Sequence, residues 1–177
     1  MKHRVRIWKA ALVALAIVVA PAAIAAADTH DAVISTKAKI KLLTADDVSV
    51  KDVNVDTRDG RVVLHGKVAT EGEKERAEAA VRKVDGVKSV ENLLQVVPKT
   101  EEKPVKAADE QIEKGVKEHL RAEGLKDVHV KSVDNGVVLL AGKTRTHRAE
   151  LEAIEGAHRV PGVRRVASEI KVESEES

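Results

Sequence analysis

The chain has 177 residues, with 31 Lys and Arg against 29 Asp and Glu, and no cysteine. The missing cysteine excludes disulfides, thiolate nucleophiles, Cys-ligated zinc and a lipid-modified N-terminal Cys. Trp8 is the one large aromatic residue, with no Tyr and no Phe, so stacking of single-stranded nucleic acid on aromatic platforms is excluded too.

Lys2, Arg4, Arg6 and Lys9 precede an apolar run from Ala10 to Ala20, and Ala25-Ala26-Ala27 sets small residues before Asp28. This three-part pattern reads as a secretory signal peptide over residues 1–27, its apolar run too short to span a bilayer comfortably. The alternative is an uncleaved N-terminal anchor. Cleavage removes four basic residues and no acid, which leaves 27 basic against 29 acidic, a net charge of −2. The expectation is an exported, periplasmic chain with no transmembrane segment after processing.

Beyond the signal, Val33, Ile40 and Leu43 fall about one, two and three helical turns apart among Lys37, Lys39 and Lys41. They predict an amphipathic helix over 31–43. Val48 to Val55 alternates like a strand. Asp59-Gly60 supplies the positive φ angles of a tight hairpin, and Val62 to Val68 returns. Thr70-Glu71-Gly72-Glu73 is a capping box opening a helix with Ala77, Ala80, Val81 and Val84 on one face. Asp85-Gly86 ends it, and Val87 to Val97 is a third strand stopped by Pro98.

The stretch from Gly60 to Val68 returns as Gly136 to Thr144, and an offset of 76 residues holds without a gap through Val96/Val172. One folded unit is used twice. A charged linker over 99–107 separates the copies. In the second, Asp109 is the expected N-cap of a helix carrying Ile112, Val116, His119 and Leu120. Val128 and Val130 open a strand, Asp134-Asn135-Gly136 makes the hairpin, and Thr146 caps a helix with Ala149, Ala153, Ala157 and Val160. Val163 to Val172 closes the unit, and 174–177 is an acidic tail.

The expected fold is α+β: two tandem α-β-β-α-β domains, 31–98 and 108–173. Each is a three-stranded mixed sheet with two helices on one face. Strand parity then turns Val63, Leu93 and Val97 in the first unit, and Val137, Leu139 and Ala141 in the second, away from the helices. Those residues either pack on the other repeat or are scattered surface side chains.

Two motifs carry a resemblance. The first is Gly60-x-Val62-x-Leu64-x-Gly66-x-Val68. The second is Val87-x-x-Val90-x-Asn92-x-Leu94-x-Val96, following Gly86. In the second copy Thr144, Ser168 and Ile170 replace the final Val, the Asn and the Leu. The pattern resembles the BON domain family over nearly the whole mature chain. The resemblance implies a bacterial envelope location, binding of phospholipid or cell-surface components, and in some members protection in osmotic or envelope stress. It implies structural glycines (Gly60, Gly66, Gly86, Gly136, Gly142, Gly162) and no catalytic residues.

The residues themselves point away from catalysis: no nucleophile elbow, zinc-protease motif, P-loop or dinucleotide fingerprint is present. The six histidines beyond the signal have no metal-ligand spacing, so no metal or cofactor is expected. The strongest chemical signal is basic clustering in the second unit. Lys143, Arg145, His147 and Arg148 surround the entry to its second helix; His158, Arg159, Arg164 and Arg165 surround the exit. Such groups suit an anionic phospholipid surface, with Arg favoured for phosphate. A solvated face balanced by Glu150, Glu152 and Glu155 is the alternative. The function expected is non-enzymatic binding of phospholipid or an envelope protein, and not of nucleic acid. The competing reading is a periplasmic chaperone or protein-interaction scaffold using apolar sheet faces or edges.

Overall fold

The computed structural model describes residues 23–45 and 48–173. Residues 1–22 of the expected signal peptide and the acidic tail 174–177 lie outside the described residues. The first repeat runs α1 (Ala23–Leu43), β1 (Val53–Arg58), β2 (Arg61–Val68), α2 (Glu71–Arg82), β3 (Ser89–Asn92) and β4 (Gln95–Val96). The second runs α3 (Glu102–Ala122), β5 (Val128–Asp134), β6 (Val137–Thr144), α4 (His147–His158) and β7 (Arg165–Val172). In each, the second hairpin strand is central, antiparallel to the first and parallel to the last. The crossover helix makes that parallel return possible. The architecture is the expected α+β pair of α-β-β-α-β units.

Local chemistry explains the turns. Asp59 (φ 52) with Gly60 (φ 78), and Asn135 (φ 47) with Gly136 (φ 77), are left-handed in pairs, as a two-residue hairpin turn requires. Thr70 and Thr146 accept the N–H of Glu73 and Ala149 and so cap α2 and α4. Glu73 reaches back to the N–H of Ala69, one residue before the cap. Gly66 and Gly142 lie where the chain entering the first strand crosses the central one. A Cβ at these positions would sit 1.8 Å from the Asp52 carbonyl oxygen and 2.0 Å from that of Asp127. The crossing is fixed by Lys67 N–H to Asp52 O (2.9 Å) and Lys143 N–H to Asp127 O (3.0 Å).

The two cores match. Ile34, Ala38 and Leu42 of α1 meet Ala77 and Val81 of α2 over Val55, Val62, Leu64, Val68 and Leu94. Ile112, Val116 and Leu120 meet Ala153 and Ala157 over Val128, Val130, Val138, Leu140 and Ile170. The inward stripe of α1 is therefore not the expected one: Val33, Ile40 and Leu43 are 50%, 56% and 67% exposed. Both sets have helical spacing, but the i, i+4, i+8 set continues the alignment seen in α3, where Ile112, Val116 and Leu120 lie 78 residues on. The helix offset of 78, against 76 from the hairpins onward, reflects a longer loop before β1.

Other expected boundaries also move. The strand expected over Val48–Val55 begins only at Val53. The expected linker 99–107 narrows to the turn before Glu102, because α3 takes in the rest. Pro104 is tolerated there because the N–H groups of a first helical turn have no intrahelical acceptor. Asp109 is thus not an N-cap but a buried residue within α3. The strand expected over Val87–Val97 is interrupted at Leu93-Leu94. There Asn92 turns its side chain back to accept the Leu94 N–H and donates to Lys74 O and Glu78. The two pieces lie along the same side of β2. Ser168 makes the smaller version, with β7 unbroken.

The faces turned away from the helices pack on one another. Val63, Leu93 and Leu139 are each at most 2% exposed and form their own cluster with Ala167. Val97, Val137 and Ala141, expected on the same faces, are buried outside that cluster. Complete burial of one such side chain contributes about 1.5–3 kcal/mol, so a few are enough to couple two small domains.

Candidate functional site

Charged side chains converge at the junction of the repeats, and a bulge in β5 places one of them. Val130 pairs with Leu140 and Ser132 with Leu139, which leaves Lys131 as the extra residue. A bulge re-aims the side chain it carries. Lys131 Nζ reaches Asp56 of the first repeat at 2.8 Å and Glu169 of its own at 2.8 Å. Asp56 also pairs with His65 Nε2 at 2.8 Å. Arg58 donates to the Glu169 carbonyl at 2.7 Å.

On the other flank Lys67 Nζ lies 2.8 Å from Asp109 and 3.9 Å from Asp134. Glu91 stands between Arg61 (4.0 Å) and Arg165 (3.7 Å). Asp109 has a further role: its carboxylate accepts the N–H groups of Asn135 (3.0 Å) and Gly136 (2.9 Å). Asp31 does the same for Asp59 (2.6 Å) and Gly60 (3.0 Å). In both repeats an aspartate on the first helix therefore ties down the hairpin.

The electrostatics follow from burial and pairing. Burial alone would raise the Asp56 carboxyl. Hydrogen bonds from His65 and Lys131, with their charges, outweigh it and hold the group at about 2, below the ordinary 3.8. Burial would lower Lys131, but its bonds to Asp56 and Glu169 raise it. Asp134 is pushed up, mainly by burial, against a hydrogen bond from Ser132 and the charge of Lys67. His65 Nδ1 is buried without a hydrogen-bond partner among the described residues, 4.0 Å from Asp134 Oδ2. The cluster pairs opposite charges across the junction, which fastens the repeats together. Among the described residues no group of three His, Asp or Glu converges as metal ligands.

The basic residues singled out in the second repeat are placed at the surface, mostly beside carboxylates. Lys143 pairs with Glu173 (2.6 Å), His147 with Glu150 (3.5 Å), Arg148 with Glu152 (3.0 Å) and Arg159 with Glu155 (3.5 Å). Lys143 is raised and Glu173 lowered by their mutual hydrogen bond. Arg165 faces Glu91 of the other repeat, and Arg164 donates to the Asn135 carbonyl at 3.2 Å. Arg145 forms no ion pair among the described residues. The entry and exit groups remain at opposite ends of α4. The six motif glycines fall in the hairpins (Gly60, Gly136), within the central strands (Gly66, Gly142) and after α2 and α4 (Gly86, Gly162), all with positive φ.

The junction residues Asp56, Lys67, Lys131, Asp134 and Glu169 were not singled out from the sequence. The usable signals were the aspartate three residues before the core isoleucine in both first helices (Asp31/Ile34, Asp109/Ile112), and the one-residue change of offset at Lys131.

Comparison with known proteins places these observations. Over 64 residues the chain is 44% identical to osmotically-inducible protein Y of Escherichia coli (strain K12), a match covering 36% of this chain and 32% of that one. The chain thus matches about a third of that relative's length. Among solved structures, the C-terminal domain of CdsD, a structural protein of the type III secretion system of Chlamydia trachomatis, is similar at 17% identity with a TM-score of 0.34. That match covers 77% of this chain and 96% of the other. A second CdsD structure matches at 14% identity and a TM-score of 0.36, over 80% and 92%. The BON domain model matches twice, over residues 30–98 and 108–174, so the chain belongs to the BON domain family and carries two copies of that domain.

Proposed function

We propose that this chain is a non-enzymatic binding protein of the bacterial envelope, exported to the periplasm, that attaches peripherally to phospholipid and serves in osmotic or envelope stress. The observation that carries this reading is the disposition of charge. The charges that converge at the repeat junction are paired with one another, and the cations open to a ligand lie on the outer surface. The similarity to osmotically-inducible protein Y supports the stress role, and the residue 1–27 signal pattern supports export. Arg145 before α4 and Arg164 after it, neither in an ion pair among the described residues, offer two separate contacts for lipid phosphate. Lys143, His147, Arg148, Arg159 and Arg165 can join them only by giving up carboxylates, which weakens both groups.

Co-sedimentation of residues 28–177 with anionic and with zwitterionic vesicles tests the reading; this segment keeps every side-chain contact described above. Binding to anionic vesicles alone, weakening as salt rises, supports it. Absence of binding to both overturns it. A second reading, binding of apolar protein segments, is favoured by a groove of about 190 Å³ beside the edge strand β1, lined by Leu42, Leu43, Val50, Val53 and Val55 with Lys39. Such binding would not weaken with salt.

A further inference from the structure

The first helix of each repeat occupies the same place in the fold, yet the outward faces differ. Offset by 78 residues, the exposed Val33, Ile40 and Leu43 of α1 correspond to Gln111, Glu118 and Arg121 of α3. The fold therefore does not require apolar residues at these positions. On α3 that face is mixed in sign, with Lys117 paired to Glu113. On α1 it is apolar and basic. Three of the four large hydrophobic residues exposed among the described residues lie on α1.

Helical geometry orders this face. Val33 and Ile40 are seven residues apart and stand on one line, with Leu43 beside it. Lys37 and Lys41 project on one flank and Lys39 on the other. No acid occurs in the sequence from Ala32 to Ala45. Lys83, at the C-cap of α2, borders the same groove as Lys37, Ile40 and Lys41, with Asp85 the one acid there among the described residues. None of these four lysines forms an ion pair among the described residues, in contrast to the basic residues around α4. An apolar ridge flanked by lysines that form no ion pair among the described residues suits one kind of partner: an anionic bilayer, where the ridge meets the acyl boundary and the lysine stems lie along it with their ammonium groups at the phosphates.

We propose that the outer face of α1, with Ile40 and Leu43 as the apolar contact and Lys37, Lys39, Lys41 and Lys83 as the charged contact, is the surface by which this chain lies on anionic phospholipid. This rests on the phospholipid reading above and names its site. It places the main contact in the first repeat, away from the partly neutralised cations of the second.

The test compares binding of three proteins to vesicles of phosphatidylglycerol and phosphatidylcholine: the parent, Lys37→Glu/Lys39→Glu/Lys41→Glu, and Lys114→Glu/Lys117→Glu/Arg121→Glu on α3, which changes net charge equally. The α1 variant is expected to lose about 100-fold in partitioning, from the contribution of each basic residue at an anionic surface. The α3 variant should lose less than about tenfold, the share due to net charge alone. Ile40→Ser/Leu43→Ser, which alters exposed side chains only, should lose about tenfold without change of net charge. Equal losses in the α1 and α3 variants, or binding of both α1 variants like the parent, would overturn the site and leave the phospholipid reading standing. Failure of the parent itself to bind would overturn that reading.

Discussion

Leu139 and Leu140 are neighbours on β6, equally buried and chemically identical, but they serve different interfaces. Leu140 belongs to the core of the second repeat and Leu139 to the cluster shared with Val63 and Leu93. Leu139→Ala removes a side chain that is 1% exposed. The transfer and cavity terms for such a change amount to about 2–5 kcal/mol. The cluster holds only three large side chains, and Ala167 gives one wall little bulk, so partial collapse sets the expected loss near the lower end, about 2–3 kcal/mol. That loss belongs to the docking of the repeats rather than to either core. Native-state hydrogen exchange read by mass spectrometry separates the cases, since local and sub-global openings report by segment. Leu139→Ala should accelerate exchange in β2 as well as in β6. Leu140→Ala should accelerate it chiefly in the second repeat. An effect of Leu139→Ala confined to the second repeat, or below about 0.5 kcal/mol, would show that the shared cluster does not couple the domains.

Two further outcomes follow from the same geometry. Asp56 titrates at about 2 when folded and near 3.8 as a free side chain. Its contribution is therefore complete above about pH 4 and is lost as pH falls from about 4 to about 2. Screening at this half-buried group limits the loss to about 1–2 kcal/mol. Asp134, raised by burial, works in the opposite direction, since its protonation favours the folded state. Urea midpoints from about pH 7 to about pH 2.5 should accordingly fall less steeply in Asp56→Asn than in the parent, and parallel curves would refute the pairing account. Separately, Gly142→Ala places a Cβ 2.0 Å from the Asp127 carbonyl oxygen at φ +129. It should cost about 3 kcal/mol or more, read as a lowered urea midpoint, whereas a neutral effect would mean that the crossing over β6 is not tight.

Much of this fold was legible because its signals are local. The Asp59-Gly60 and Asn135-Gly136 hairpins, the Thr70 and Thr146 caps and the two copies of the strand motif each depend on residues close in sequence. Strand parity also placed Val63, Leu93 and Leu139 on faces needing cover, and the structure covers each with the other repeat. The phase of α1 was not legible locally, because Val33/Ile40/Leu43 and Ile34/Ala38/Leu42 both fit a helix. The choice is made by the Asp31 carboxylate, which must reach the hairpin amides and so turns Ile34 inward. Asp109 was misread for the same reason: aspartate is a good N-cap in isolation, and its hairpin partners lie 26 and 27 residues away. The acids beside Arg148 and Arg159 were visible four residues off, but Glu91 beside Arg165 and Glu173 beside Lys143 arrive only through tertiary pairing.

The absence of cysteine from the sequence makes site-specific labelling clean, and one such measurement bears on the central claim. A polarity-sensitive fluorophore is attached at Leu43→Cys on α1, and in a second protein at Arg121→Cys, the equivalent position on α3. Each is titrated with phosphatidylglycerol vesicles. The account predicts a blue-shifted, brighter emission from the α1 label, reversed by high salt, with the α3 label unchanged. An α1 label that stays in water while the chain co-sediments with the vesicles would contradict it.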